Sequence, residues 1–247
     1  MQSIGEVSFP QNGLTAAGIF QIVEFLSIFA LILAFRHYLY LVVRDRALSS
    51  VLSITVFCVL LFNFVLPRSY PLAFVFWYAW DIPSVMFFTV GLILLYQRDW
   101  MWYYVLFALA TLNRETTAFL TIIYVITALG RTNLKLIGLH CVTQAVIWIG
   151  IKYVLFLWYG DNPMIENQES LMSGGFIDYQ QWSWNLQTVK EYRSYPFLAS
   201  SIGFTALPTL LLWRMVSDDF VKRSLLVVIP LIPASMFIGT IEELRIF

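Results

Sequence analysis

The tetrad Asn113-Arg114-Glu115-Thr116 interrupts an apolar run that extends from Met101 to Leu129. Charged groups inside such a run are costly unless they pair or face a polar cavity. Arg114 carries five donors in a fixed fork, a shape suited to a carboxylate or a phosphate. Glu115 beside it is an acceptor or a base. Asn113 can cap the helix that follows, with Thr116 at its third position. Asp81 opens another apolar run as Asp81-Ile82-Pro83, an acidic cap with proline in the first turn. Its second reading is a catalytic base or a cation ligand. Glu24 and Lys152 sit within two further runs, and Glu242, Glu243 and Arg245 follow the last one. Two kinds of chemistry are open to this set. In one, Arg114 is held ready for a lipid phosphate with a carboxylate at its side. In the other, the charges neutralise one another, Arg114 with Glu243, Arg245 with Glu115 and Glu24 with Lys152, and knit the helices together.

The elements that must position these groups follow from composition. Of the 247 residues, 60% are apolar and only 12% are charged, against about 25% charged in ordinary soluble domains. Mean hydropathy is +0.75. A water-facing surface cannot be built from so few charges, whereas lipid solvates apolar surface directly. The expected fold is therefore all-α: a polytopic transmembrane helix bundle of about seven or eight helical segments, at roughly 20 apolar residues per span. The chain reads as a single transmembrane domain over 1–247, in a bacterial inner membrane.

The apolar runs are Ala16–Val43, Leu48–Leu66, Asp81–Tyr96, Met101–Leu129, Leu136–Tyr159, Tyr195–Trp213 and Ser224–Gly239. An aromatic stretch from Tyr70 to Trp80 suits the headgroup boundary. The run Met101–Leu129 has two readings. A single helix would be about 43 Å long and would bury Arg114 and Glu115 near mid-bilayer. Two short helices would instead form a broken hairpin with the tetrad at its tip. Charge placement favours the hairpin. Arg36, Arg44, Arg46, Arg98, Arg131, Lys135, Arg214, Lys222 and Arg223 all fall on one side of the membrane, as the positive-inside rule expects, only if Arg98 and Arg131 share that side. The same topology puts the polar segment 160–194 on the outer, periplasmic side. It also brings Asp81, the hairpin tip, Glu24 and Lys152 toward the outer face.

Other classes find no footing. Net charge is zero, with 15 basic and 15 acidic residues, so no basic excess points to nucleic acid. Cys58 and Cys141 lie in apolar runs and read as small buried residues. His37 and His140 lie far apart, and no spacing suits a metal. No phosphate-cradling loop, dinucleotide fingerprint or nucleophile elbow occurs, and no cofactor is expected. Residues 1–15 lack the basic start and apolar core of a signal peptide. The closing Glu242-Glu243-Leu244-Arg245-Ile246-Phe247 reads as the start of another element, so the native chain is expected to continue.

The Asp81-Ile82-Pro83 span, the Leu112-Asn113-Arg114-Glu115-Thr116 hairpin and the Glu243-Leu244-Arg245-Ile246-Phe247 turn resemble a group of uncharacterised bacterial polytopic membrane proteins. That group in turn resembles the GT-C-type glycosyltransferases, which take sugars from polyprenyl-phosphate donors at the outer membrane face. The resemblance implies a membrane enzyme in which Arg114, Arg245 and Lys152 bind the lipid phosphate. Asp81 or Glu115 would then activate an acceptor hydroxyl. GT-C enzymes usually carry a catalytic acid in an outer loop after an N-terminal span that starts in the cytoplasm, and this chain has no such loop. The alternative is a non-catalytic subunit of a larger membrane complex, with a transporter third. The expected partners are membrane lipids, a polyprenyl-phosphate-linked sugar or other membrane subunits.

Overall fold

A computed structural model describes residues 13–65, 81–159 and 213–230, with Leu186, Lys190 and Leu211. Every regular element among them is helical. The helices are α1 (Gly13–Val43), α2 (Arg46–Val65), α3 (Asp81–Gln97), α4 (Trp100–Asn113), α5 (Ala118–Ala128), α6 (Leu134–Tyr159) and α7 (Asp219–Ser224). Short 3₁₀ turns occupy Glu115–Thr117, Trp213–Met215 and Leu225–Val227. The segment 160–194, apart from Leu186 and Lys190, lies outside the described residues. So do Glu242, Glu243 and Arg245, the run expected at 195–213 apart from Leu211 and Trp213, and residues 231–239 of the run expected at 224–239.

Two helical stretches, Ile22–Val43 and Leu134–Trp158, are long and apolar enough to cross a membrane. Both expose large apolar side chains along their length, among them Phe25, Phe29, Leu139, Val146 and Trp158. A soluble fold would bury such a stripe.

The connections between helices are short and chemically explicit. Arg44 closes α1 in the left-handed region at φ 58°, and Asp45 caps α2 by accepting from the Leu48 N–H at 3.0 Å. Arg98 closes α3 in the same conformation at φ 59°, with the Asp99 N–H returning to the Leu94 carbonyl at 3.0 Å. That i to i−5 bond satisfies an end carbonyl of the helix. Gly130, at φ 77°, turns the chain after α5, and Asn133 caps α6 through the Lys135 N–H at 2.9 Å. Asp218 caps α7 through the Val221 N–H at 3.0 Å.

Helix α1 packs on α2 and α3, α3 also meets α4 and α5, and α6 lies on α4 and α5. The core is formed where α3, α4, α5 and α6 meet, around Leu95, Tyr103, Phe107, Leu120, Ile123 and Ile137. Gly91 lets α3 approach α5 closely: a Cβ there would stand 2.6 Å from Leu120 Cδ1.

Candidate functional site

The run Met101–Leu129 is a hairpin, not one long helix. Helix α4 has 14 residues and α5 has 11, or about 21 and 16 Å at 1.5 Å per residue, both short of a hydrocarbon core about 30 Å thick. The break is at Arg114, whose backbone is extended at φ −157° and ψ 145°. Its N–H still donates to the Ala110 carbonyl at 2.9 Å, and its own carbonyl accepts from the Thr117 hydroxyl at 2.9 Å. Thr117 therefore closes the 3₁₀ turn that leads into α5.

Asn113 does not cap α5, as its position in sequence suggests. It is the last residue of α4, and its Nδ2 donates to Ser84 Oγ at 2.8 Å. The side chain is used to join two helices because α3 begins at this level. The hairpin tip and the start of α3, with Asp81 at its first residue, are thus at one end of the bundle. Arg114 is half-buried and engaged with a partner. Glu115 begins the 3₁₀ turn.

The opposite end gathers the basic loops. Arg98 and Arg131 line one cleft, so the two share a side, as the charge-based topology requires. Asp219 there pairs with Arg131 and, at 2.9 Å, with Arg223. Arg223 also donates to the Leu129 carbonyl at 2.7 Å, satisfying the C-terminus of α5. Tyr96 donates to Asp218 at 3.1 Å, and Gln97 meets His37 at 3.2 Å, which brings the end of α1 to the same level. Asp218 and Asp219 had no evident role in the sequence. Arg131 and Asp219 are 88 positions apart, and no local pattern joins them.

A cavity of about 440 Å³ begins at the hairpin tip and runs between α5 and α6. Its walls are almost wholly apolar, with Phe107, Phe119, Ile122 and Trp148 prominent and Thr116 at the tip. Gln144 is the exception. It is fully buried, and its Oε1 accepts from Tyr103 at 2.9 Å and from Thr121 at 2.7 Å, while Nε2 has no partner among the described residues. Both hydroxyls converge on one amide atom, so turning the amide over would leave its oxygen unpaired instead. Gln144, Trp148 and Lys152 recur every four residues and lie on one face of α6. Lys152 is half-buried and has a partner.

Glu24 lies on α1 and also has a partner. The principal neighbours of α1 are α2 and α3, whereas those of α6 are α4 and α5.

Sequence reasoning also passed over His140. It stacks on Trp100 with ring centroids 3.8 Å apart, and Nδ1 hydrogen-bonds the Tyr104 hydroxyl. The Tyr124 ring stands edge-on to Trp100 at 5.0 Å. The cluster joins α4, α5 and α6, and Cys141 beside it is a free thiol.

No family model, curated protein or solved structure matches this chain.

Proposed function

We propose that the chain is a multi-pass protein of a bacterial inner membrane that binds a polyprenyl-phosphate-linked sugar at its outer end and transfers the sugar to an acceptor. The observation that carries this reading is the hairpin break at Arg114, tied to the start of α3 and opening onto the apolar cavity between α5 and α6. A polyprenyl chain is hydrocarbon and fits such a cavity. The face of α6 that lines it continues through Trp148 to Lys152, which supports a phosphate held at the cavity mouth between Lys152 and Arg114.

The chemistry follows from that arrangement. The acceptor hydroxyl oxygen attacks the sugar's anomeric carbon, and the bond from that carbon to the phosphate oxygen breaks. Polyprenyl phosphate leaves with the bonding electrons, and the cations meet its growing charge. The hydroxyl proton passes to Asp81 or Glu115, the carboxylates that the sequence offers at this end.

The test uses the full chain in lipid nanodiscs with polyprenyl-phosphate-linked sugars and short hydroxyl acceptors. Release of polyprenyl phosphate, lost in Arg114→Ala while the melting temperature holds, supports transfer. A chain that neither binds nor consumes any such donor overturns it.

A second reading, a non-catalytic subunit of a larger membrane complex, is favoured by α6. Among the described residues it exposes Leu139, Val142, Val146, Ile149 and Tyr153, an apolar face suited to packing on another membrane protein. Recovery of a stoichiometric membrane partner in mild detergent, with no donor binding, selects it.

A further inference from the structure

We propose that the cavity between α5 and α6 seats only the phosphate-proximal isoprene units of the lipid donor, and that a hydrogen-bonded floor turns the rest of the chain sideways into the bilayer. This deepens the sugar-transfer reading, on which the identity of the chain rests.

The cavity is short. Its wall runs from Thr116 to Ile122 on the α5 side and from Gln144 to Ile149 on α6. At 1.5–2 Å per residue these stretches are about 8–10 Å long. An extended isoprene unit, four bonds of about 1.5 Å, advances about 5 Å, so about two units fill the length.

The inner end is shut. Thr121 and Tyr103 both donate to Gln144 Oε1, which ties α4, α5 and α6 together at that level. One turn further in, the Tyr124 and His140 rings stand edge to face with centroids 5.3 Å apart. Ile123 and Ile137 there belong to the buried core. A longer seat would require breaking the knot at Gln144 and leaving buried hydroxyls unpaired.

The lateral side is open among the described residues. Ala145 is exposed, Ile149 is 60% exposed, and Phe119 and Ile122 are half-buried. A chain stopped by the floor leaves over Ala145, the smallest side chain on the α6 wall.

Two features select the occupant. Arg114 at the tip and Lys152, one turn beyond Trp148, set cations above an apolar wall, which complements a phosphate with hydrocarbon beneath it. Phe107, Phe119 and Trp148 supply rings to that wall. An isoprene unit is flat about its double bond, so it loses less freedom on seating there than a saturated chain does.

The experiment is photo-crosslinking of the full chain in lipid nanodiscs. The probes are polyprenyl monophosphates with a diazirine on either the second or the sixth isoprene unit, and labelled peptides are identified by mass spectrometry. The second-unit probe should label the peptides that hold Phe119 and Ala145, and the sixth-unit probe should label them severalfold less. Ala145→Phe fills the exit without entering the core and should cut second-unit labelling severalfold at an unchanged melting temperature. Val105→Phe, exposed on α4 outside the cavity, should not. Labelling needs no sugar, so the two readings fail separately. Labelling in a chain that transfers no sugar supports the seat and removes the transfer reading, whereas transfer without labelling overturns the seat alone. Equal labelling by both probes, or unchanged labelling in Ala145→Phe, also overturns it. So does equal labelling by a phospholipid with a diazirine at matching depth in its acyl chain, which would make the cavity a seat for bulk lipid.

Discussion

Asn113 at the end of α4 donates a hydrogen bond to Ser84 in the first turn of α3, at 2.8 Å. The bond spans 29 positions and fixes the hairpin tip to a neighbouring helix at the level where the chain breaks. Asn113→Ala and Ser84→Ala should each lower stability by about 1 kcal/mol. The double variant should cost less than the sum, because either change alone removes the bond. Thermal melts of all three in one detergent check this. Strict additivity would show that the two side chains act separately.

Gln144 is the acceptor for two buried hydroxyls. Gln144→Leu should leave Tyr103 and Thr121 unpaired and destabilise the bundle by about 2 kcal/mol or more. Adding Tyr103→Phe should recover part of that loss, since one orphaned hydroxyl is then gone. A melt showing no recovery would mean that Gln144 matters for its shape and not for its oxygen.

The approach of α3 to α5 depends on Gly91. Leu120 is fully buried, so it has little room to turn away from an added side chain. Gly91→Val should cost about 1–3 kcal/mol by overpacking. The companion Gly91→Val with Leu120→Ala should regain some of it. Equal melting temperatures for Gly91→Val and the native chain would refute the close contact.

Sidedness can be read by thiol labelling of intact cells in a background lacking Cys58 and Cys141. Thr116→Cys lines the cavity at the hairpin tip and should react with a membrane-impermeant reagent. Asp99→Cys, in the exposed turn after α3, should react only after permeabilisation. The reverse pattern would invert the topology and remove the outer-face donor site. Thr117 is a poor reporter here, because it is buried and bonded to the Arg114 carbonyl.

Arg44 and Arg98 both hold positive φ, a conformation that costs a residue with a side chain about 1–2 kcal/mol. Arg44→Gly should therefore leave the melting temperature unchanged or raise it by an amount corresponding to up to about 1 kcal/mol. A clear loss of stability would show that the Arg44 side chain makes interactions worth more than the strain.

Helix existence was legible wherever polarity changed abruptly. Asp81-Ile82-Pro83 marks the start of α3, and Arg44-Asp45 and Arg98-Asp99 mark turns, because a charged pair cannot continue an apolar helix into lipid. The break at Arg114 was legible for the same reason, and charge balance chose the hairpin over the long helix. The partners were not legible. Asn113 has the chemistry of a helix cap, and only the position of α3 diverts it to Ser84. Gln144, Tyr103 and His140 sit in runs that are apolar all round, so no periodicity shows which face turns inward. Asp219 meets Arg131 through a contact between distant segments, which one sequence does not reveal.

The arginines at the ends of α1 and α3 have a consequence for how the molecule is made. Glycine would suit each turn better in the finished structure, so the charge is kept at some expense to the folded state. Its benefit falls earlier. In a chain that enters the bilayer helix by helix, a cation at the end of a segment decides which way that segment points before any neighbour exists to pack against it. If the chain spans a bilayer as proposed, the strain at Arg44 and Arg98 is a cost in the completed fold that orientation during synthesis would offset.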